Sequence, residues 1–153
     1  MQLTPGGSNY LIPTDGRNIE KPRATEYYLE VEKLIDILTD SNSRGPNVPV
    51  IAIFDCCRSE ISAAAASGRT HLPTSKGGPS NVYVIYATAD GFTASDGEED
   101  GNGAFTQLLI KHMDMDEDIE EVSKAIRSEL LTKSRRAQVC KHSNSIWNPI
   151  SLV

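Results

Sequence analysis

At 153 residues, 39% hydrophobic and 24% charged, the chain has the size and composition of one globular domain that buries its own core, which excludes disordered and fibrous classes. A formal net charge of -6 and a pI near 5.0 exclude a field that attracts nucleic acid or an anionic membrane and weakly favour a cationic substrate. No apolar run has the length of a membrane span, Met-Gln-Leu-Thr-Pro-Gly-Gly lacks a signal-peptide pattern, and three cysteines make no disulfide framework, so a cytoplasmic protein with reduced thiols is expected.

Residues 1–19 are rich in turn formers around Tyr10, Leu11 and Ile12, which predicts a brief strand or hairpin. Apolar side chains at Tyr27, Tyr28, Val31, Leu34, Ile35 and Leu38 lie on one helical stripe, so a helix is predicted over 26–39 with Thr25 as its N-cap. After a polar loop, residues 50–54 run apolar without alternation, as a strand buried on both faces does. The alanine-rich stretch 59–67 predicts a short helix, and 68–80, rich in Gly, Pro, Ser and Thr, an exposed linker.

A second continuous apolar run at 82–87 predicts a second buried strand, followed by an acidic, glycine-rich segment over 91–103. Ala104, Phe105, Leu108, Leu109 and then His112 or Met113 form one helical stripe, and Ile119, Val122, Ile126 and Leu130 another. Asp116, Glu117 and Asp118 precede the second stripe and Lys133, Arg135 and Arg136 follow it, the charge order that complements a helix dipole. An edge strand is predicted within 145–153. Buried strands alternating with amphipathic helices predict an α/β sheet covered on both faces. If the two strands are parallel, the loops 55–58 and 88–103 leave from the same edge and face each other, where open α/β sheets carry their sites.

Cys57 follows the first strand directly, flanked by Asp55 and Arg58, a polar setting in which a cation or an exposed helix N-terminus can hold a thiolate. Spacing alone leaves this level with a small structural cysteine. Family resemblance separates the two. VIAIFDCCRS at 50–59 resembles the strand and nucleophile loop of caspases, metacaspases and paracaspases; VYVIYATADGFTASDG followed by GAFTQLL resembles their next strand, substrate loop and helix. SNYLIPTDG resembles the hairpin that directly follows their His-Gly motif. The three matches keep the family's order over residues 8–113.

The resemblance implies a caspase-like three-layer sandwich with a mostly parallel six-stranded sheet, of which this chain holds roughly the second half. It implies a cysteine endopeptidase acting on peptide or protein substrates, with Cys57 as nucleophile and Cys56 as the small residue before it. Asp55 corresponds to the pocket acid of the branch that cleaves after Arg or Lys, and Asp96 lies where caspases carry an arginine, so Arg or Lys is expected at P1. Arg69 and Lys76 stand in the linker where such proteins are nicked, which makes them candidate self-cleavage sites.

The family pattern also supplies a histidine as base, and none precedes Cys57. His71, His112 and His142 follow it and read as surface or packing residues. A domain truncated at its N-terminus, with the first strands missing, is therefore expected, its strand at 50–54 exposing an apolar edge that favours a homo-oligomer or pairing with a complete homologue. The alternative is a catalytically inactive caspase-like module that binds or regulates a partner.

No metal or cofactor is expected. Asp96 to Gly101 resembles the opening of an EF-hand loop, but Gln107 stands at the twelfth position where a bidentate Glu belongs. Calcium dependence occurs in metacaspases, yet the acidic position that would support it falls in the alanine run at 63–66. Cys56, Cys57, Cys140 and His142 lack the spacing of a zinc site, and no Cys has the downstream Arg of a cysteine phosphatase.

Overall fold

The run at 82–86 is apolar except for the hydroxyls of Tyr83 and Tyr86, so a strand made from it must be covered on both faces. All of its residues are buried. The computed structural model describes residues 2–3, 9–12, 28–39, 48–60, 81–97 and 101–153, with the side chains of 2, 3, 59 and 60 left out. The elements in chain order are β1 (Gln2–Leu3), β2 (Asn9–Leu11), β3 (Leu29–Glu30), α1 (Val31–Thr39), β4 (Val50–Phe54), β5 (Ser59–Glu60), β6 (Val82–Tyr86), α2 (Ala104–His112), α3 (Ile119–Lys133) and β7 (Lys141–Asn144). The linker expected at 68–80, with Arg69, His71 and Lys76, lies outside the described residues, as do Thr25 and the alanine run.

Alternation along β6 builds three layers. Tyr83, Ile85 and the following Ala87 pack with Phe105 and Leu108 of α2 and with Ile119, Val122, Ile126 and Leu130 of α3. Val82, Val84 and Tyr86 point the other way, into a cluster with Val31 and Ile35 of α1 and Val50 of β4. The periodicities of 2 and 3.6 thus meet on both sides of one strand, which is what the α/β class requires. Each buried Val, Leu, Ile or Phe among these side chains contributes about 1.5–3 kcal/mol of burial free energy.

β4 and β6 are parallel in the register Val50↔Val82 to Phe54↔Tyr86, and β7 adds antiparallel to β6 from Tyr83↔Asn144 to Tyr86↔Lys141. The described strands therefore form a mixed sheet in the order β4-β6-β7, beside a small one in the order β3-β2-β1-β5. Among the described residues β4 has one strand neighbour, and its Ile53 is 39% exposed where burial on both faces was expected.

Three predicted elements are corrected. The helix expected over 26–39 begins at Val31, because Leu29 and Glu30 pair with Leu11 and Tyr10 of β2 and their backbone groups are used in that ladder. Ser59 and Glu60, expected in a short helix, form β5 parallel to β1. The edge strand expected at 145–153 lies at 141–144, and Ser151 makes an isolated bridge to Asp118 instead. Lys-His-Ser-Asn has no apolar alternation to announce a strand; it is held by the β6 ladder and by stacking of His142 on Tyr83 at 5.6 Å.

Charge order caps α3 as expected. Asp118 is the N-cap, one carboxylate oxygen accepting from Glu120 N at 2.9 Å and the other from Ile150 N at 2.8 Å. Between α2 and α3, Glu129 accepts from Lys111 at 2.7 Å and meets His112 Nε2 at 3.0 Å. Hydrogen bonds from Lys111, then His112, hold the Glu129 carboxyl down to about 2, from an ordinary 4.5. A depressed folded-state value means stability that is present above pH 4.5 and lost as pH falls toward 2. Wild type is therefore expected to exceed Glu129→Gln in denaturation midpoint at pH 6, with the gap closing through that window; a gap independent of pH would refute the assignment.

Candidate functional site

Parallel register decides where the two loops go. Because Phe54 lies opposite Tyr86, the strands end level, and Ala87 N donates to Phe54 O at 2.9 Å. The chain then diverges into Asp55 to Arg58 on one side and Thr88 to Gly97 on the other. The second loop doubles back at residues 89–92, where Phe92 N donates to Ala89 O at 3.2 Å and Gly91 has φ +80°, as the third position of a type II turn requires. That turn locks to the first loop: Gly91 N donates to Arg58 O at 2.8 Å and Arg58 N to Phe92 O at 3.0 Å. The facing arrangement expected from sequence is observed.

Cys57 lies in this junction, half-buried and outside both apolar clusters. Its Sγ accepts the Ala94 N–H at 3.2 Å and lies 3.7 Å from Ala94 O. Cys56 beside it is also half-buried, and burial pushes its thiol up, which disfavours its thiolate at neutral pH. Cys140 is in the core with α3, its thiol pushed up to about 11 by burial.

Arg58 does not line the loop surface. It turns inward, 1% exposed, and ion-pairs with Asp90, donates to Asn9 Oδ1 at 2.7 Å and lies 4.2 Å above the Tyr86 ring. Asn9 in turn donates to Glu32 of α1 at 3.0 Å, and Asp90 also pairs with Lys141 of β7 at 2.9 Å. One buried cation therefore joins β2, the 55–58 loop, the 89–92 turn and β7. Planar guanidinium geometry suits this shared role better than a lysine would.

Asp55 is exposed and accepts a hydrogen bond from Thr106 in the first turn of α2. A carboxylate is favoured there by the helix dipole. Gly103, just before α2, brings this acid beside the second loop: a Cβ added to it would lie 2.6 Å from Ser95 O and 3.5 Å from Asp55 Oδ2. Asp96 follows Ser95 and is exposed. Asp55, Cys57 and the 94–96 backbone thus share one edge of the sheet. Because the 2.6 Å clash is with a backbone oxygen, Gly103→Ala must displace the loop. We expect a loss of about 1–3 kcal/mol in urea denaturation; an unchanged midpoint would show that the approach is slack.

The described histidines are engaged elsewhere. His112 meets Glu129 and Met115 Sδ, and His142 stacks on Tyr83, with burial lowering its pKa. Among the described residues, no group of three or more His, Cys, Asp or Glu side chains could hold a metal, and no helix is long and apolar enough to cross a membrane.

One contributor has no sequence signal. Gln138, past the end of α3, accepts from Ser95 N at 3.0 Å and donates to Ala87 O at 3.0 Å. Only its distance in sequence from the residues it contacts hides it. Comparison with protein-family models gives a match to the Caspase domain model of peptidase family C14 over residues 7–147. None of the curated proteins compared matches the chain.

Proposed function

The chain belongs to the caspase domain family, and from that membership we propose that it is a cysteine-type endopeptidase in which Cys57 is the nucleophile. The observation that carries the reading is the position of Cys57 Sγ: half-buried at the carboxyl edge of the β4/β6 pair and facing the backbone of Ala94 in the opposite loop. In the reaction the sulfur attacks the scissile carbonyl carbon, a C–S bond forms, and the C–N bond breaks as the leaving amine takes a proton. Water then cleaves the thioester. Asp55 and Asp96 are proposed to select Arg or Lys at P1 by charge-assisted hydrogen bonds, and Arg69 and Lys76 to be self-cleavage sites.

A second reading rests on a specific observation: neither described histidine contacts Cys57. On that reading the chain is a catalytically inactive module that binds a peptide or a complete homologue. An arginyl fluoromethylketone separates the two. Peptide mapping is expected to find its adduct on Cys57 and none in Cys57→Ala, whereas a folded protein that accepts iodoacetamide at Cys57 but not the arginyl reagent would favour the binding module.

A further inference from the structure

The loop that faces Cys57 is closed across its mouth by one side chain. Gln138 is 3% exposed; its carboxamide nitrogen donates to Ala87 O and its oxygen accepts from Ser95 N, both at 3.0 Å. Ala87 is where the chain leaves β6, and Ser95 adjoins Ala94, whose N–H donates to Cys57 Sγ at 3.2 Å. The two ends of the segment over the sulfur are thereby tied to one rigid group.

Gln138 is itself fixed. The Ser134 hydroxyl accepts from Gln138 N at 3.0 Å and donates to Gln138 O at 3.1 Å. The turn that delivers it from α3 contains Arg135 and Arg136 at φ +50° and +70°, left-handed conformations that cost L-residues roughly 1–2 kcal/mol each. Such strain persists where the surroundings over-determine it, and here it places a donor and an acceptor between two backbone groups of the loop.

From this geometry we infer that Gln138 is a positioning residue for the chemistry at Cys57, setting the backbone of residues 94–96 at the height over the sulfur from which it can align a bound peptide. The role rests on the cysteine-peptidase reading. It requires an amide, because Ala87 O needs a donor and Ser95 N an acceptor; a methionine of the same shape leaves both without their partner.

The test compares two reagents at the same sulfur in the full chain. In Gln138→Met, labelling by the arginyl fluoromethylketone is expected to slow about tenfold, the effect of losing one to two buried hydrogen bonds, while alkylation by iodoacetamide keeps the wild-type rate. Gln138→Glu, which keeps the acceptor for Ser95 but turns a carboxylate oxygen toward Ala87 O, should slow the arginyl reagent as well. Hydrogen exchange at the Ser95 amide is expected to accelerate in Gln138→Met, with the β6 amides unchanged. Equal rates in all three proteins, or both reagents slowing together with a lower melting temperature, would overturn the assignment. If wild type takes iodoacetamide but not the arginyl reagent, the peptidase reading fails, and Ser95 exchange alone decides whether Gln138 positions the loop.

Discussion

Asp90→Asn is expected to destabilise the protein by about 3–5 kcal/mol, and Arg58→Met by distinctly less. The asymmetry follows from where each charge sits. Arg58 is 1% exposed, so neutralising Asp90 strands a guanidinium whose remaining contacts among the described residues are the neutral Asn9 and the Tyr86 ring. Asp90 is at the rim and retains Lys141 at 2.9 Å when Arg58 is gone. Methionine also fills much of the space the arginine stem vacates. Urea denaturation of the two variants and the double variant measures this, and the double should recover most of the Asp90→Asn loss. Should Arg58→Met prove the costlier single change, the buried cation is not the element at risk and the network must be held mainly through Asp90.

That network is also where the sequence misleads. Arg58 directly follows the nucleophile candidate, and an exposed cation beside a thiol is the natural expectation from adjacency. Alternation settles otherwise: with Cys57 directed at Ala94, the next side chain turns inward onto the Tyr86 ring. By contrast β6 and the stripes of α2 and α3 were legible, because uninterrupted apolar residues or a 3.6 period leave few alternatives. From the parallel pairing of β4 and β6, the meeting of the two loops followed.

Polar edge elements were not legible. Lys-His-Ser-Asn becomes β7 because an ordered neighbour offers a ladder, and Leu29 and Glu30 leave the helix predicted over 26–39 because β2 does the same. Gln138 lies in a segment with no periodicity, and its role depends on tertiary contacts with residues 87 and 95. Local sequence carries no trace of such pairings.

The second large effect is expected at Asp55, on selectivity. Its carboxylate is oriented by the Thr106 hydroxyl, stands near the start of α2 and lies on the same side of Gly103 as Ser95, so on the proposed peptidase reading a P1 side chain entering beside the 94–96 backbone would meet it. A charge-assisted hydrogen bond to a guanidinium is worth about 1.5–3 kcal/mol, or roughly 10- to 100-fold in rate ratio. Citrulline has the shape of arginine without its charge, so the ratio of labelling rates for arginyl and citrullinyl fluoromethylketones isolates this contribution. Asp55→Asn, which retains an acceptor for Thr106, is expected to collapse that ratio by 10-fold or more while leaving iodoacetamide alkylation of Cys57 intact. Asp96→Asn should have a smaller effect, since Asp96 is an exposed residue on a loop whereas Asp55 is anchored to a helix. A ratio unmoved by Asp55→Asn but lowered by Asp96→Asn would transfer the P1 contact to the loop acid, and a ratio unmoved by both would remove arginine selectivity from this edge of the sheet.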